Sequence, residues 1–233
     1  MINRFGHEPV FGRVPATVLL LAAAVGAVEV ILAVLELNLW EIPQLAYPRV
    51  EAVKALSFDS QLFRTQFELG FIFDSASLRL VTFPFIHLNF IHSLFSVVFI
   101  LVLGSLLCRL VHAMLLPTTF FLASAAGALG FALLPGSEFP LLGATPGYLG
   151  ILGLLGGLLL MMHGRENPAA TPAMVAFPFF LMGLKLVQDV AVGIPGYWSA
   201  HAVGFAVGLL ISLAVVSGSL SAIRSGLARL LRN

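Results

Sequence analysis

Six long apolar runs dominate the chain, at approximately Val14–Leu39, Ile86–Leu107, Met114–Leu134, Thr145–Met162, Met174–Val192 and Trp198–Ser217. Each is long enough to cross the roughly 30 Å hydrocarbon core of a bilayer, which takes about 20 helical residues. The runs are continuous, whereas a barrel strand alternates between apolar and polar positions. Hydrocarbon admits only structures that satisfy their own backbone groups, so the pattern predicts six transmembrane α-helices. Proline and glycine punctuate the connections at Pro135-Gly136, Asn167-Pro168, Pro172 and Pro195-Gly196.

One connection breaks this rhythm. Residues 40–81 form a long first loop with mixed charges and many aromatics. Within it Val50–Phe58 and Gln61–Phe71 read as short amphipathic helices in the interface, presenting Leu62, Phe63, Phe67, Leu69, Phe71 and Ile72. The chain thus divides into an amino-terminal segment, 1–13, a six-helix membrane domain, 14–220, and a basic amphipathic tail, 221–233, suited to an anionic inner leaflet. Arg4 and Arg13 ahead of the first run imitate a signal peptide, but the run is too long for a cleaved one and reads as a retained anchor.

Composition agrees: 59% of residues are hydrophobic and 10% charged, against roughly 25% charged in a soluble domain. A net charge of +1 gives nucleic acid no electrostatic footing. The single cysteine, Cys108, excludes a disulfide framework within one copy. Arg4, Arg13, Arg109, Arg165, Arg224, Arg229 and Arg232 fall on one side of the bilayer, while the short loops at 135–142 and 193–197 hold no Lys or Arg. The positive-inside rule therefore predicts a multi-pass protein with both ends in the cytoplasm, as in a bacterial inner membrane.

Polar groups within spans are functional candidates because their burial in lipid is costly. The second span opens with His87-Leu-Asn-Phe-Ile-His92 and continues to Ser96. The fourth opens with Gly143-Ala-Thr-Pro-Gly-Tyr-Leu-Gly150, and the sixth contains His201-Ala-Val-Gly-Phe-Ala-Val-Gly208. Gly143, Gly147, Gly150 and Gly157 share a helical face, as do His201, Gly204, Gly208 and Ser212, and small residues so spaced let membrane helices pack closely. Such packing brings the Thr145 hydroxyl toward the His201 imidazole, a nucleophile–base arrangement used in acyl transfer, although generic helix packing explains the glycines equally well. His87 and His92 lie about 140° apart on a helix, poor for a shared metal but open to axial ligation of a haem-type pigment. Lys185 and Asp189 sit four apart, near Gln188, and pair with each other or with another protein. With Glu29, they also suggest a proton relay in a small transporter; Glu36 has no evident role.

Taken in order, these segments resemble the rhomboid family of intramembrane serine proteases, over Leu78 to about Gly208. Leu78-Arg79-Leu80-Val81-Thr82 is similar to the family's Trp-Arg-x-x-Thr, and His87-x4-His92-x3-Ser96 to its His-x4-His-x3-Asn, with Gly104 as the glycine that follows. Gly143-Ala-Thr145-Pro resembles the Gly-x-Ser-Gly nucleophile motif, and His201-x2-Gly204-x3-Gly208 the general-base motif. The resemblance implies a six-helix rhomboid-like bundle, with Thr145 and His201 at the catalytic positions, His92 and Ser96 at the oxyanion positions, and no cofactor or metal. The span holding Phe177-Pro178-Phe179-Phe180 resembles the lateral substrate gate, loosened or kinked at its proline.

Departures from the family pattern decide what the site is expected to do. Thr145 replaces the nucleophilic serine, and its β-methyl restricts χ1. Pro146 replaces the next glycine, removes an N–H and biases Thr145 away from the α region. Ser96 replaces the oxyanion asparagine, where losing one donor costs about 2.7–4 kcal/mol of transition-state stabilisation. Leu149 stands where an aromatic packs on the family's histidine, with Tyr148 one position early. Thr145-Pro146 also reads as an ordinary helix start. The expectation is a catalytically degenerate member, a pseudoprotease that binds transmembrane helices of partner proteins as an assembly or quality-control factor or a complex subunit. The alternative is an active intramembrane protease with a Thr145/His201 dyad.

Overall fold

The computed structural model describes residues 14–37, 47–70, 75–134, 139–163, 171–193 and 196–218. The segment 1–13, the tail 221–233 and the connections at Pro135-Gly136 and Asn167-Pro168 lie outside the described residues. Among those described are α1 (Ala16–Glu36), α2 (Pro48–Leu56), α3 (Ser60–Glu68), α4 (Ser75–Thr82), α5 (Phe90–Leu107), α6 (Leu115–Leu133), α7 (Thr145–His163), α8 (Pro172–Val192) and α9 (Tyr197–Val216). Six of these, α1 and α5 to α9, are 18 to 21 residues long and apolar enough to cross a membrane. At 1.5 Å per residue they measure about 27–32 Å, the thickness of the hydrocarbon core.

Several boundaries differ from the sequence expectation, including α3, which ends at Glu68 rather than Phe71. The second span begins at Phe90 rather than Ile86, because Asn89 is extended and its side chain accepts the His92 N–H at 2.9 Å as an N-cap. The Leu78–Thr82 motif accordingly belongs to α4, separated from α5 by a 3₁₀ turn at Phe83–Phe85. Pro172 opens α8 rather than marking a loop, with Thr171 as its cap. Gly193 then ends α8 in the left-handed region, φ 72°.

The centre of the bundle is α7. Of its span 89% is buried, against 17% for α8. Helix α7 packs on α5, α6, α8 and α9, while α1 lies against α5. Helices α7 and α9 run parallel, with Pro146 beside Gly204, Gly150 between Gly204 and Gly208, and Gly157 on Ser212. The glycines of α7 do not share one partner, however. Gly147 meets Phe120 and Ser124 of α6, and Gly156 meets Pro178 of α8, so a small-residue surface surrounds the helix. Leu20, Ile31, Leu122, Leu133, Phe180, Val187 and Leu213 project outward, where lipid rather than water is their solvent.

The first loop folds over one end of this bundle. Arg49 of α2 donates to both oxygens of Glu29 at 2.8 and 3.0 Å, to Glu36 at 2.8 and 3.0 Å, and to the His87 carbonyl at 3.0 Å. Both acidic residues of α1 therefore have a cation, and that cation stays charged because their carboxylates raise its pKa further. Asp59 caps α3, and Arg64 of α3 donates to the carbonyls of Ala132 and Leu134 at the end of α6. The Arg-x-x-Thr element has a structural use: Arg79 donates to the Ser57 carbonyl at 3.3 Å and Thr82 to that of Leu56 at 2.8 Å, holding the turn between α2 and α3.

Candidate active site

The approach to Thr145 is fixed from several sides. Phe58 and Leu141 exchange backbone hydrogen bonds of 2.9 and 2.8 Å in an isolated bridge, with Phe58 fully buried beside Phe83, Phe131 and Ala200. Tyr197 donates to the Pro140 carbonyl at 2.7 Å, and the Gly143 N–H donates to Phe83 at 3.1 Å. Gly143 has φ +90°, and a Cβ there would lie 2.6 Å from His92 Cε1. Only glycine meets both demands. The loop is thus pre-set before α7 begins at Thr145, and the His92 ring lies directly over its backbone.

His87 organises the other wall. It is fully buried, and burial drives its pKa down to about 3, so the ring is neutral and carries one proton. Nδ1 faces the Phe85 carbonyl at 3.3 Å and donates to it, leaving Nε2 to accept the Ala144 N–H at 3.4 Å. Ser96 Oγ lies 3.1 Å from the same Nε2 and donates to the His92 carbonyl at 3.1 Å. Ser96 and the Ala144 N–H are therefore engaged with groups behind the site. Pro146 has no N–H to offer.

A cavity of about 340 Å³ lies in front of Thr145, between α5, α7 and α8. His92, Thr145 and Tyr148 form its floor; Phe95, Phe99, Leu181 and Leu184 are its apolar walls, with Lys185 and Gln188 at its edge. Ser96 is not among the lining residues. Tyr148 stacks on Phe99, centroids 5.0 Å apart and 11° from parallel, and its phenol is a hydrogen-bonding neighbour of the Thr145 hydroxyl. The aromatic one position early in sequence thus faces α5 rather than the histidine. His201 takes its aromatic neighbour from its own helix, Tyr197, at 6.1 Å.

His201 is almost fully buried on α9, level with Thr145 by the register of α7 against α9. Its Nδ1 lies 2.5 Å from Oδ2 of Asp189 on α8, and the other carboxylate oxygen accepts from Lys185. The sequence paired Lys185 with Asp189 and missed the link to His201. Its signal was a carboxylate in an apolar span, at the same end of α8 as the opening turns of α7 and α9. Glu29 belongs to a separate ion-pair cluster with Arg49, so these groups do not form the continuous relay a transporter would use. Among the described residues no group of three His, Cys, Asp or Glu side chains is placed to hold a metal ion.

Comparison with known proteins bears on the whole arrangement. A family model described as "Rhomboid domain" matches residues 75–218, from α4 through the end of α9. No curated protein matches the chain.

Proposed function

Because this chain belongs to the rhomboid family and is an integral multi-pass membrane protein, we propose that it binds transmembrane helices of partner proteins in the cleft between α5 and α8 without cutting them. The observation that carries this reading is the cavity before Thr145. It has apolar walls, is bordered by the least buried of the six candidate spans, and lacks Ser96 in its lining, because that oxyanion-position hydroxyl is turned to the His92 carbonyl. Side chains of a neighbouring helix suit such walls, since close van der Waals fit and a few polar contacts drive helix association in lipid. The role that follows is that of an assembly or quality-control factor or a subunit of a membrane complex. In this reading both termini lie in the cytoplasm, which the arginine distribution supports, and the membrane is a bacterial inner membrane.

A second reading is favoured by the Asp189–His201 contact, which is how a general base is held ready. In it the Thr145 oxygen bonds to a scissile carbonyl carbon while its proton passes to His201 Nε2 and then to the leaving amine, with His92, and Ser96 after reorientation, facing the oxyanion. The two readings separate experimentally. A photo-crosslinker at Phe95 or Leu184, in native membranes, is expected to capture a single-span protein that one at Leu133 does not. Equal capture at all three positions refutes the docking reading. Purified protein is expected to leave a helix-destabilised single-span substrate intact; cleavage abolished by both Thr145→Ala and His201→Ala establishes the protease instead.

A further inference from the structure

Helix α8 is mostly unburied, and Asp189 is one of three buried residues on it, with Pro178 and Met182. A carboxylate in a membrane span demands partners, and here both oxygens have one. Lys185 donates to Oδ1, which favours the ionised carboxylate; Oδ2 lies 2.5 Å from His201 Nδ1. We infer that Asp189 is a positioning residue for His201, holding the imidazole as its Nδ1–H tautomer with the Nε2 lone pair free. An ionised carboxylate only accepts, so the proton in this contact belongs to Nδ1. One ring proton on Nδ1 leaves Nε2 as the basic nitrogen, the condition a general base must meet.

The assignment rests on reading Thr145 and His201 as the family-equivalent pair, but not on whether the pair cuts anything. It makes the base half of the site a triad of Lys185, Asp189 and His201, drawn from α8 and α9. The nucleophile half comes from α7. A mere tether between α8 and α9 does not need this tautomer, since Asn at 189 can donate to an unprotonated Nδ1 and keep the contact.

Nitrogen-15 spectroscopy of histidine-labelled protein in detergent micelles decides the question, with the His201 resonances assigned by their loss in His201→Gln. Native protein is expected to show a protonated Nδ1 and an unprotonated Nε2 at His201. Asp189→Asn, with its thermal midpoint measured alongside, is expected to move the proton to Nε2, and Asp189→Glu to restore the native pattern. A proton on Nε2 in native protein overturns the inference and needs no variant to be folded. A folded Asp189→Asn with an unchanged tautomer overturns it too. Neither readout depends on cleavage, so an inert Thr145 sinks the protease reading alone, and a wrong tautomer leaves helix docking untouched.

Discussion

A methyl group added at Gly208 tests whether the α7–α9 contact sets the geometry of this site. An ideal Cβ there would collide with the Gly150 carbonyl oxygen, 2.8 Å from the Gly150 carbonyl carbon and 2.6 Å from the Leu154 nitrogen. Every one of these atoms is backbone, so no side chain can swing aside. Carbon atoms rest at about 3.5–4.0 Å from their neighbours, so the helices must part by on the order of 1 Å. Overpacking of this kind costs about 1–3 kcal/mol, and a backbone-on-backbone clash belongs at the upper end. Gly183→Ala on α8 is the control: nothing lies within 4 Å of its Cβ position, and helix propensity alone favours Ala by up to about 1 kcal/mol. Reversible unfolding in mixed micelles, followed by tryptophan fluorescence, is expected to place Gly208→Ala at least ~2 kcal/mol below Gly183→Ala. Equal stability of the two variants refutes the close-packed register, and with it the placement of His201 level with Thr145.

Other predictions probe the elements around the site. Arg49→Gln leaves the Glu29 carboxylate, 3% exposed, without its cation, and is expected to cost about 3–5 kcal/mol in the same unfolding assay, most of it recovered in Arg49→Gln/Glu29→Gln. Arg49 has its pKa raised above an already high value, so its contribution is present below the unfolded value and stays flat from pH 5 to 9. His87 behaves oppositely. Its pKa falls from 6.5 unfolded to about 3 folded, so the unfolded chain binds the proton first and stability drops as pH falls below 6.5. Lowering the pH from 7.5 to 5 is expected to remove about 2 kcal/mol, a slope that His87→Gln flattens; an unchanged slope refutes the buried neutral ring. Arg64→Met removes a cation from the carbonyl end of α6 and is expected to expose α3, measured as faster amide hydrogen exchange across Ser60–Glu68 at a cost of about 1–2 kcal/mol.

Most of the architecture was legible because lipid restricts the options. Six apolar runs have one solution, and the helices fall within a few residues of them. Boundaries shifted where a local polar contact outweighed hydropathy, as at Asn89, whose cap starts α5 four residues after Ile86. Thr145 and His201 were singled out because glycine spacing reports helix faces, and the register of parallel helices follows from which small residues meet. Contacts between elements far apart in sequence were not legible. Nothing in the first loop says that Arg49 answers both Glu29 and Glu36, or that Phe58 pairs with Leu141 to hold the turn before Thr145. Partner choice for Asp189 depended on how far α8 leans toward α9, which no single-helix periodicity encodes.

The two halves of the site are held by different kinds of contact, and that difference explains how one can change without the other. At the nucleophile half, Thr145 and Pro146 open a helix, where threonine and proline are acceptable on local grounds alone. Ser96 donates to the His92 carbonyl, so the missing asparagine leaves no orphaned polar donor. The base half has no such freedom. Removing His201 or Lys185 strips a partner from a carboxylate buried in a membrane span, and removing Asp189 takes away one of the three fully buried residues of α8, with Pro178 and Met182. Breaking a buried pair typically costs about 3–5 kcal/mol, a large part of a membrane bundle's stability. The histidine and its carboxylate therefore help to seat α8 whether or not a peptide bond is ever cut, and their presence alone does not establish catalysis. What does bear on catalysis is whether Thr145→Ser/Pro146→Gly, which touches none of these ion pairs, cleaves a single-span substrate at an intact fold.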